Sequence, residues 1–334
     1  MTSFSKNKQN LSVAIVTSIH PDFDDRVWRH ASSLAKEGLE IHLVCPWKIQ
    51  SGEKKENVTF HTFKPAKSRL QRPFVIPVRV GKKLIPLLRM VDIVHFHDID
   101  LLLWMALLSL RKKVVYDVHE YYAAQVLQRY WIPSPLRPIL YYFVLYGERF
   151  FSNIIGHVVL VAPSQEKTFS NPRLNKIYVK NYATVKLLEE RKEDYHNRRD
   201  AVIFIGSQNL NNGSMLFLEI AEQVKKARPN VKFYASDRFG NQNFREEYLQ
   251  ERRNRGLEQT VQLLPNVPPI EIASVLNLAT IGINPTLRVG LQINGINTKL
   301  FEFMALGLPI ITSAGRRKYP DHVHTVRGFP WNVL

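Results

Sequence analysis

The chain has 334 residues, enough for two hydrophobic cores, and its 45% hydrophobic and 22% charged content excludes an intrinsically disordered polypeptide. Its single cysteine, Cys45, excludes an intramolecular disulfide framework and a cysteine-built zinc site. The formal charge of +17 calls for an anionic partner, and it is uneven: Lys64 to Lys113 contains eleven Lys or Arg against three Asp.

Residues 1–10, MTSFSKNKQN, are polar, lack the apolar centre of a secretory signal and are expected to be disordered. Short β-rich runs then alternate with helical patterns. The strands expected in the first half are 13–17, 41–45, 58–63, 93–97, 114–119, 158–162 and 177–179. Most are continuous apolar runs, as in a parallel sheet covered on both faces. The first helix is capped by Asp24 or Asp25, shows Val27, Ala31, Leu34 and Ala35 on one side, and stops at Gly38. This makes a βαβ unit. Further on, RLQRPFVIPVRVGKKLIPLLRM mixes basic with apolar residues and carries no nucleic-acid motif. The mixture suits an anionic membrane surface, with a merely solvated basic face as the bland alternative. The run LLLWMALLSL at 101–110 is far short of the roughly 20 residues of a membrane span, so a cytoplasmic protein, peripheral on the inner face of the membrane, is expected.

The segment KLLEERKEDYHNRRD is mostly charged, and residues 184–200 are expected to link an N-terminal domain, 11–183, to a C-terminal one, 201–334. The second alternating series has expected strands at 202–206, 231–234, 261–264, 281–284 and 310–312. Two such series predict an α/β protein of two Rossmann-like domains facing each other across a cleft.

Among residues that could carry chemistry, NTKLFEFMALGLPIITS stands out. Asn297 or Thr298 caps a helix, Leu300, Phe301 and Met304 form its apolar side, Gly307 ends it and PIIT is the next strand. Free N–H groups and the dipole at its start favour a phosphate, and Lys299 adds a full charge there. Glu302, one turn in, either accepts hydrogen bonds from ribose hydroxyls or simply suits the dipole. His119 ends an expected buried strand, at the edge where open α/β sheets bind ligands, and Glu120 follows it. His97 and Asp98 end another strand at the same edge; they line an acceptor or cap a loop. Arg26 either holds an anion or is a surface arginine. Asp98-Ile99-Asp100 formally matches a short metal-binding DxD pattern, but so short a match is common by chance and no metal is expected; the other histidines lack zinc-ligand spacing.

The run Glu302-Phe303-Met304-Ala305-Leu306-Gly307-Leu308-Pro309-Ile310-Ile311 resembles the nucleotide-sugar site of retaining glycosyltransferases with the GT-B fold, in glycosyltransferase family 4. DDRVWRHASSLAKEGLEIHLV, VVYDVHEYY, KNYA at 180–183 and VQLLPNVPPIEIASVLNLATIGINP resemble other family segments in the right order, and the likeness covers residues 11–315. The resemblance implies that Glu302 holds the donor ribose, that the backbone at Thr298, Lys299 and Leu300 lies near the diphosphate, that Asn266 and Val267 approach the base, and that His119 is the active-site histidine. It also implies a hexose-type donor carried by UDP or GDP, no cofactor, and a hydroxyl acceptor, saccharide or lipid-linked, in cell-surface polysaccharide or glycolipid synthesis. The family's G-R-x-x-x-x-K-G motif has its spacing at Gly206–Gly213, but Ser207 and Asn212 stand where the two phosphate-gripping cations belong, so Arg288 or Lys299 is expected to substitute. Asn294 stands where the family has an acidic residue facing the donor sugar. The His20–Arg26 loop lacks the family's glycines, and members usually continue past the position of Leu334, so the second domain is expected to be truncated at its C-terminus. A degenerate, non-catalytic glycosyltransferase-like subunit and a nucleotide-sugar epimerase are the alternative readings; a nucleic-acid partner is not expected.

Overall fold

The computed structural model describes residues 11–20, 25–46, 51–68, 71–128, 132–183, 185–190, 198, 200–267, 271–287, 298–313 and 323–326. The chain forms two compact units, Met1–Asn181 and Tyr182–Leu334. The expected disorder of residues 1–10 lies outside the described residues.

The first unit runs β1 (Ser12–Val16), α1 (Asp25–Lys36), β2 (Glu40–Pro46), β3 (Lys54–Lys55), β4 (Val58–Phe63), α2 (Arg72–Leu84), β5 (Ile93–Phe96), α3 (Leu102–Ser109), β6 (Lys113–Val118), α4 (Tyr122–Gln128), α5 (Leu136–Ile155), β7 (His157–Leu160) and β8 (Asn175–Tyr178). Its sheet has the order β3-β4-β2-β1-β5-β6-β7-β8. All pairings are parallel except the short β3 against β4. β1 is buried at every position, as a strand covered on both faces must be. Right-handed crossovers put α1 on one face, where Val27, Ala31 and Ala35 meet Val13, Ile15 and Leu43. α2, α3 and α5 cover the other face: Ile76, Val80, Leu102, Met105 and Ile155 share one core with Val16, Val94 and Val114.

The second unit runs α6 (Val185–Glu189), β9 (Ala201–Phe204), α7 (Ser214–Ala227), β10 (Lys232–Ser236), α8 (Gln242–Asn254), β11 (Val261–Leu264), α9 (Ile272–Leu276), β12 (Ile281–Asn284), α10 (Thr298–Ala305), β13 (Ile310–Ser313) and β14 (Val323–Val326). The order β11-β10-β9-β12-β13-β14 is that of a Rossmann sheet, and the first sheet repeats it with additions at both edges. Each unit is therefore a Rossmann-like α/β domain, and in each the strand order reverses beside its first strand. Ligand sites of such sheets form at that reversal, beyond the carboxyl ends of the strands.

Several strands end one or two residues earlier than the sequence suggests. Thr17, His97, His119 and Gly206 all leave their ladders at the carboxyl edge, where they belong to loops. The segment expected as a connection contains α6, whose Leu187 packs with Leu300 and Phe303 in a core of the second unit. Among the described residues no helix is long and apolar enough to cross a membrane.

Candidate active site

Strand geometry dictates the first cluster. Residues two apart on a strand share a face, so His95 with His97, and Asp117 with His119, point the same way from neighbouring strands. On α1, Arg26 and His30 are four apart and meet that face. The result is a fully buried carboxylate in a ring of bases. Asp117 Oδ1 accepts a hydrogen bond from Arg26 Nη2 at 2.7 Å. Its Oδ2 lies 3.0 Å from His30 Nδ1, 3.3 Å from His95 Nε2 and 3.5 Å from His97 Nδ1. Burial opposes ionisation of Asp117, but hydrogen bonds from His30 and His95 and the Arg26 charge outweigh it and hold its pKa well below the usual carboxylate range. Arg26 Nη1 also donates to Val179 O at 3.0 Å and to Asn181 Oδ1, anchoring the end of the unit.

His119 sits directly above this ring, with its Nε2 2.6 Å from His97 Nδ1. Burial lowers the pKa of His119 to about 4, so it is a neutral imidazole near pH 7. His97 is fully buried, and burial drives its pKa well below the ordinary value. Glu120 is exposed beside His119.

Asp98 is buried one step further round. Its Oδ2 accepts from Thr17 Oγ1 at 2.7 Å and Ser18 N at 2.5 Å, and its Oδ1 lies 3.3 Å from His20 Nε2. Burial raises its pKa, yet the His20, Ser18 and Thr17 contacts outweigh this and hold it at about 2. Asp100 Oδ2 accepts from Arg72 Nε at 2.5 Å and Ser18 Oγ at 2.9 Å. The Asp98-Ile99-Asp100 pair is thus spent on fastening the loop after β1. His97, Asp98 and Arg26 are all buried, supporting the surface that His119 and Glu120 present.

In the second unit, β12 crosses over through α10 to β13, which brings the α10 N-terminus to the carboxyl ends of β9 and β12. Gly282 makes the close approach possible: a Cβ there would stand 2.7 Å from the buried Phe303 ring of α10. Lys299 then reaches back to the end of β9. Its Nζ lies 4.6 Å from the Phe204 ring centroid and 3.8 Å from where a Cβ on Gly206 would be. Burial lowers its pKa to about 7, against the opposing charge of Glu302 one turn along. Leu300 is buried, Thr298 is exposed, and Val267 packs on the same core while Asn266 beside it is exposed.

The Asn212 side chain is turned onto the backbone of Ser207. Asn212 Nδ2 donates to Ser207 O at 2.7 Å, and Asn212 N donates to Asn209 Oδ1 at 2.8 Å. The loop closes against Gly213, where a Cβ would stand 2.0 Å from Pro285 O. The two residues that replace the family's cations therefore shape this loop, and among the described residues Lys299 is the cation at Gly206. Arg288, Asn294 and Asn297 lie outside the described residues.

Sequence reasoning singled out His97, His119 and Arg26 but missed Asp117, His30 and His95. The usable signal was the pairing of H-x-H at 95–97 with D-x-H at 117–119 on adjacent strands. His30, His95, His97 and Asp117 hold their donor atoms within 4.8 Å of one another, a set that could ligate a metal ion. Arg26 on the other Asp117 oxygen works against a divalent cation there. The carboxylate is already neutralised, and the ion would add uncompensated charge to a dry site.

A family model described as Glycosyltransferase Family 4 matches residues 26–177, and one described as Glycosyl transferases group 1 matches residues 199–329. The chain is a family 4-like glycosyltransferase. No curated protein matches by sequence. The solved structures agree on a GT-B fold for this glycosyltransferase. Sucrose-phosphate synthase from Thermosynechococcus elongatus superposes with a TM-score of 0.69 at 12% identity, covering 91% of this chain and 82% of that one. HepE from Anabaena, in complex with UDP and glucose, gives 0.65 at 12% identity, with 91% and 81% covered. A UDP-forming α,α-trehalose-phosphate synthase from Burkholderia vietnamiensis gives 0.65 at 12%, with 91% and 84% covered.

Proposed function

We propose that this glycosyltransferase moves a hexose-type sugar, with retention, from a UDP- or GDP-sugar to a hydroxyl acceptor. The observation that carries the reading is Lys299 at Gly206: a desolvated ammonium and a helix N-terminus meet where the strand order of the second sheet reverses. HepE has been solved with UDP-glucose, which supports a nucleotide-sugar donor here. In this reading Glu302 accepts hydrogen bonds from the ribose. The backbone N–H groups of Thr298, Lys299 and Leu300, with Gly206, surround the diphosphate. Asn266 and Val267 approach the base, Asn294 meets the donor sugar, and Arg288 adds a second cation.

On the first unit, neutral His119 and exposed Glu120 meet the reacting sugar and acceptor, while His97, Asp98 and Arg26 fix them from beneath. A neutral imidazole donates or accepts a hydrogen bond at a sugar hydroxyl without opposing the developing oxocarbenium charge. The leaving diphosphate takes the acceptor proton on the same face, so no cofactor or enzymatic nucleophile is required. The acceptor is a saccharide or a lipid-linked saccharide in cell-surface polysaccharide or glycolipid synthesis, met by a cytoplasmic enzyme peripheral to the inner face of the membrane. Incubation with labelled UDP- and GDP-sugars and membrane lipid extracts tests the reading. The expected product keeps the donor's anomeric configuration. An inverted product sinks the retaining claim, conversion of the donor sugar without acceptor points to an epimerase, and no turnover of any donor overturns the transfer reading.

A further inference from the structure

We propose that the outer face of the α2–α3–α5 layer is a docking surface for an anionic lipid bilayer. The proposal deepens the lipid-acceptor reading above by assigning the membrane contact to one face, and its test does not depend on turnover.

The three helices share one core on the same side of the first sheet, so their outward sides form one layer. That layer should be polar, because a helix apolar on every side belongs in a core or a membrane. It is instead apolar. On α5, Ile139, Tyr142, Phe143, Tyr146 and Phe150 recur at helical spacing and are all exposed, Phe143 at 75%. The opposite side of α5 is buried through Leu145, Ser152 and Ile155. α3 adds Leu103, Trp104, Leu107 and, at its end, Leu110, which is 72% exposed. α2 and the turn after it add Phe74, at 78%, with Val78 and Ile85. Contiguous exposure on this scale marks an interaction surface rather than chance.

Charge selects the occupant. No Asp or Glu occurs between Glu56 and Asp92, nor between Asp100 and Asp117. The acid of α5, Glu148, is buried and accepts a hydrogen bond from Tyr116 Oη at 2.8 Å. Lys82, Arg89 and Arg111 are exposed around the apolar stripe. A second copy of the chain would bring this positive face against itself, since a twofold interface pairs a patch with its own image. Nucleic acid would match the charge but leave the aromatic residues uncovered. An anionic bilayer satisfies both: aliphatic and phenyl groups enter the acyl boundary, Trp104, Tyr142 and Tyr146 sit at headgroup level, and the cations meet lipid phosphates.

Co-sedimentation of the full chain with vesicles of phosphatidylcholine, alone or mixed with phosphatidylglycerol, tests the assignment. Binding is expected to the mixed vesicles, to weaken with added salt, and to fall about fivefold for each of Lys82→Gln and Arg89→Gln. Phe143→Ser with Phe150→Ser, both on exposed positions, should abolish it while leaving circular dichroism and donor hydrolysis in solution unchanged. Failure to bind either vesicle overturns the proposal. So does a dimer in light scattering that the Phe143→Ser/Phe150→Ser variant dissociates, because a second copy then covers the face. Equal binding to both vesicle types overturns the anionic specificity. Vesicle binding by a chain without turnover would leave the docking surface standing and remove the transferase reading.

Discussion

With Lys299 holding the donor diphosphate as proposed, donor binding becomes a proton-linked event. Burial puts its pKa at about 7, so near neutral pH the free protein carries the ammonium only part of the time. A diphosphate selects the charged form, so binding above pH 7 must take up a proton. UDP affinity should therefore fall with rising pH above 7, by up to about tenfold per unit, in a range where the nucleotide's own phosphates are already ionised. Titration calorimetry in buffers of different ionisation enthalpy reads the uptake directly. Lys299→Met should weaken UDP binding by about 1.5–3 kcal/mol and flatten the pH dependence, while Lys299→Arg should keep affinity and lose only the slope. An unchanged slope in Lys299→Met would remove Lys299 from the phosphate site. The lysine's position beside Glu302 was legible from sequence as a helix start after a strand. Its depressed pKa was not, because that depends on Phe204 and Gly206, almost a hundred residues away. The Asp117 ring was hidden for the same reason: its members come from α1, β5 and β6, and only strand register brings them together.

Elements show where patterning suffices and where it stops. The helix–strand run through Ile310 could be read from its stop signals and periodicity, since Gly307 and Pro309 act locally, whereas Thr298 is the first helical residue rather than the cap and Asn297 lies outside the described residues. The run's exact seat is a packing matter between Gly282 of β12 and Phe303 of α10. Gly282→Ala puts a methyl 2.7 Å from the Phe303 ring, too close to exist without movement. We expect a loss of about 1–3 kcal/mol in unfolding free energy and a weaker UDP complex, because α10 must retreat from the β9 edge. Adding Phe303→Leu should recover part of both, and a double-mutant cycle by denaturant unfolding and calorimetry measures the coupling. Additive effects would mean that Gly282 matters only for its backbone. The outer side of α5 is the counterexample on legibility. A helix with apolar residues on opposite sides reads from sequence as buried, and only the lack of a covering element among the described residues shows that one side is open.

At the scale of the whole molecule the two units should respond differently to acid, and the sign follows from where the histidines sit. His30, His42, His61, His97 and His119 all belong to the first unit, and burial lowers the pKa of each below 6.5. The unfolded chain then binds more protons than the folded one once the pH falls below 6.5, and stability is lost as acidification proceeds toward the lowered folded values. Glu148 works the other way. Burial raises its pKa from 4.5 to about 7, so its contribution grows as the pH falls through that interval. His119, lowered from 6.5 to about 4, is shifted by a similar amount in the opposite sense, and these two nearly cancel. His97, the more strongly shifted, and His30, His42 and His61 then remain uncompensated. Asp98 does not enter until lower pH, because its pKa moves only between 3.8 and about 2. The first unit should therefore destabilise between pH 6.5 and 4, before its paired carboxylates titrate. None of these five histidines belongs to the second unit, where His324 of β14 is the one histidine among the described residues, and the sheet around β9 and β12 should hold its stability over that range. Hydrogen exchange followed by peptide separately in Met1–Asn181 and Tyr182–Leu334 distinguishes the two: faster exchange of β5 and β6 at pH 5 than at pH 7, after correction for intrinsic rates, with β9 and β12 unchanged. Equal loosening of both units would show that net positive charge, rather than buried neutral imidazoles, sets the acid limit. The variant His97→Gln should narrow the difference only if the imidazole's titration, and not its packing, is responsible.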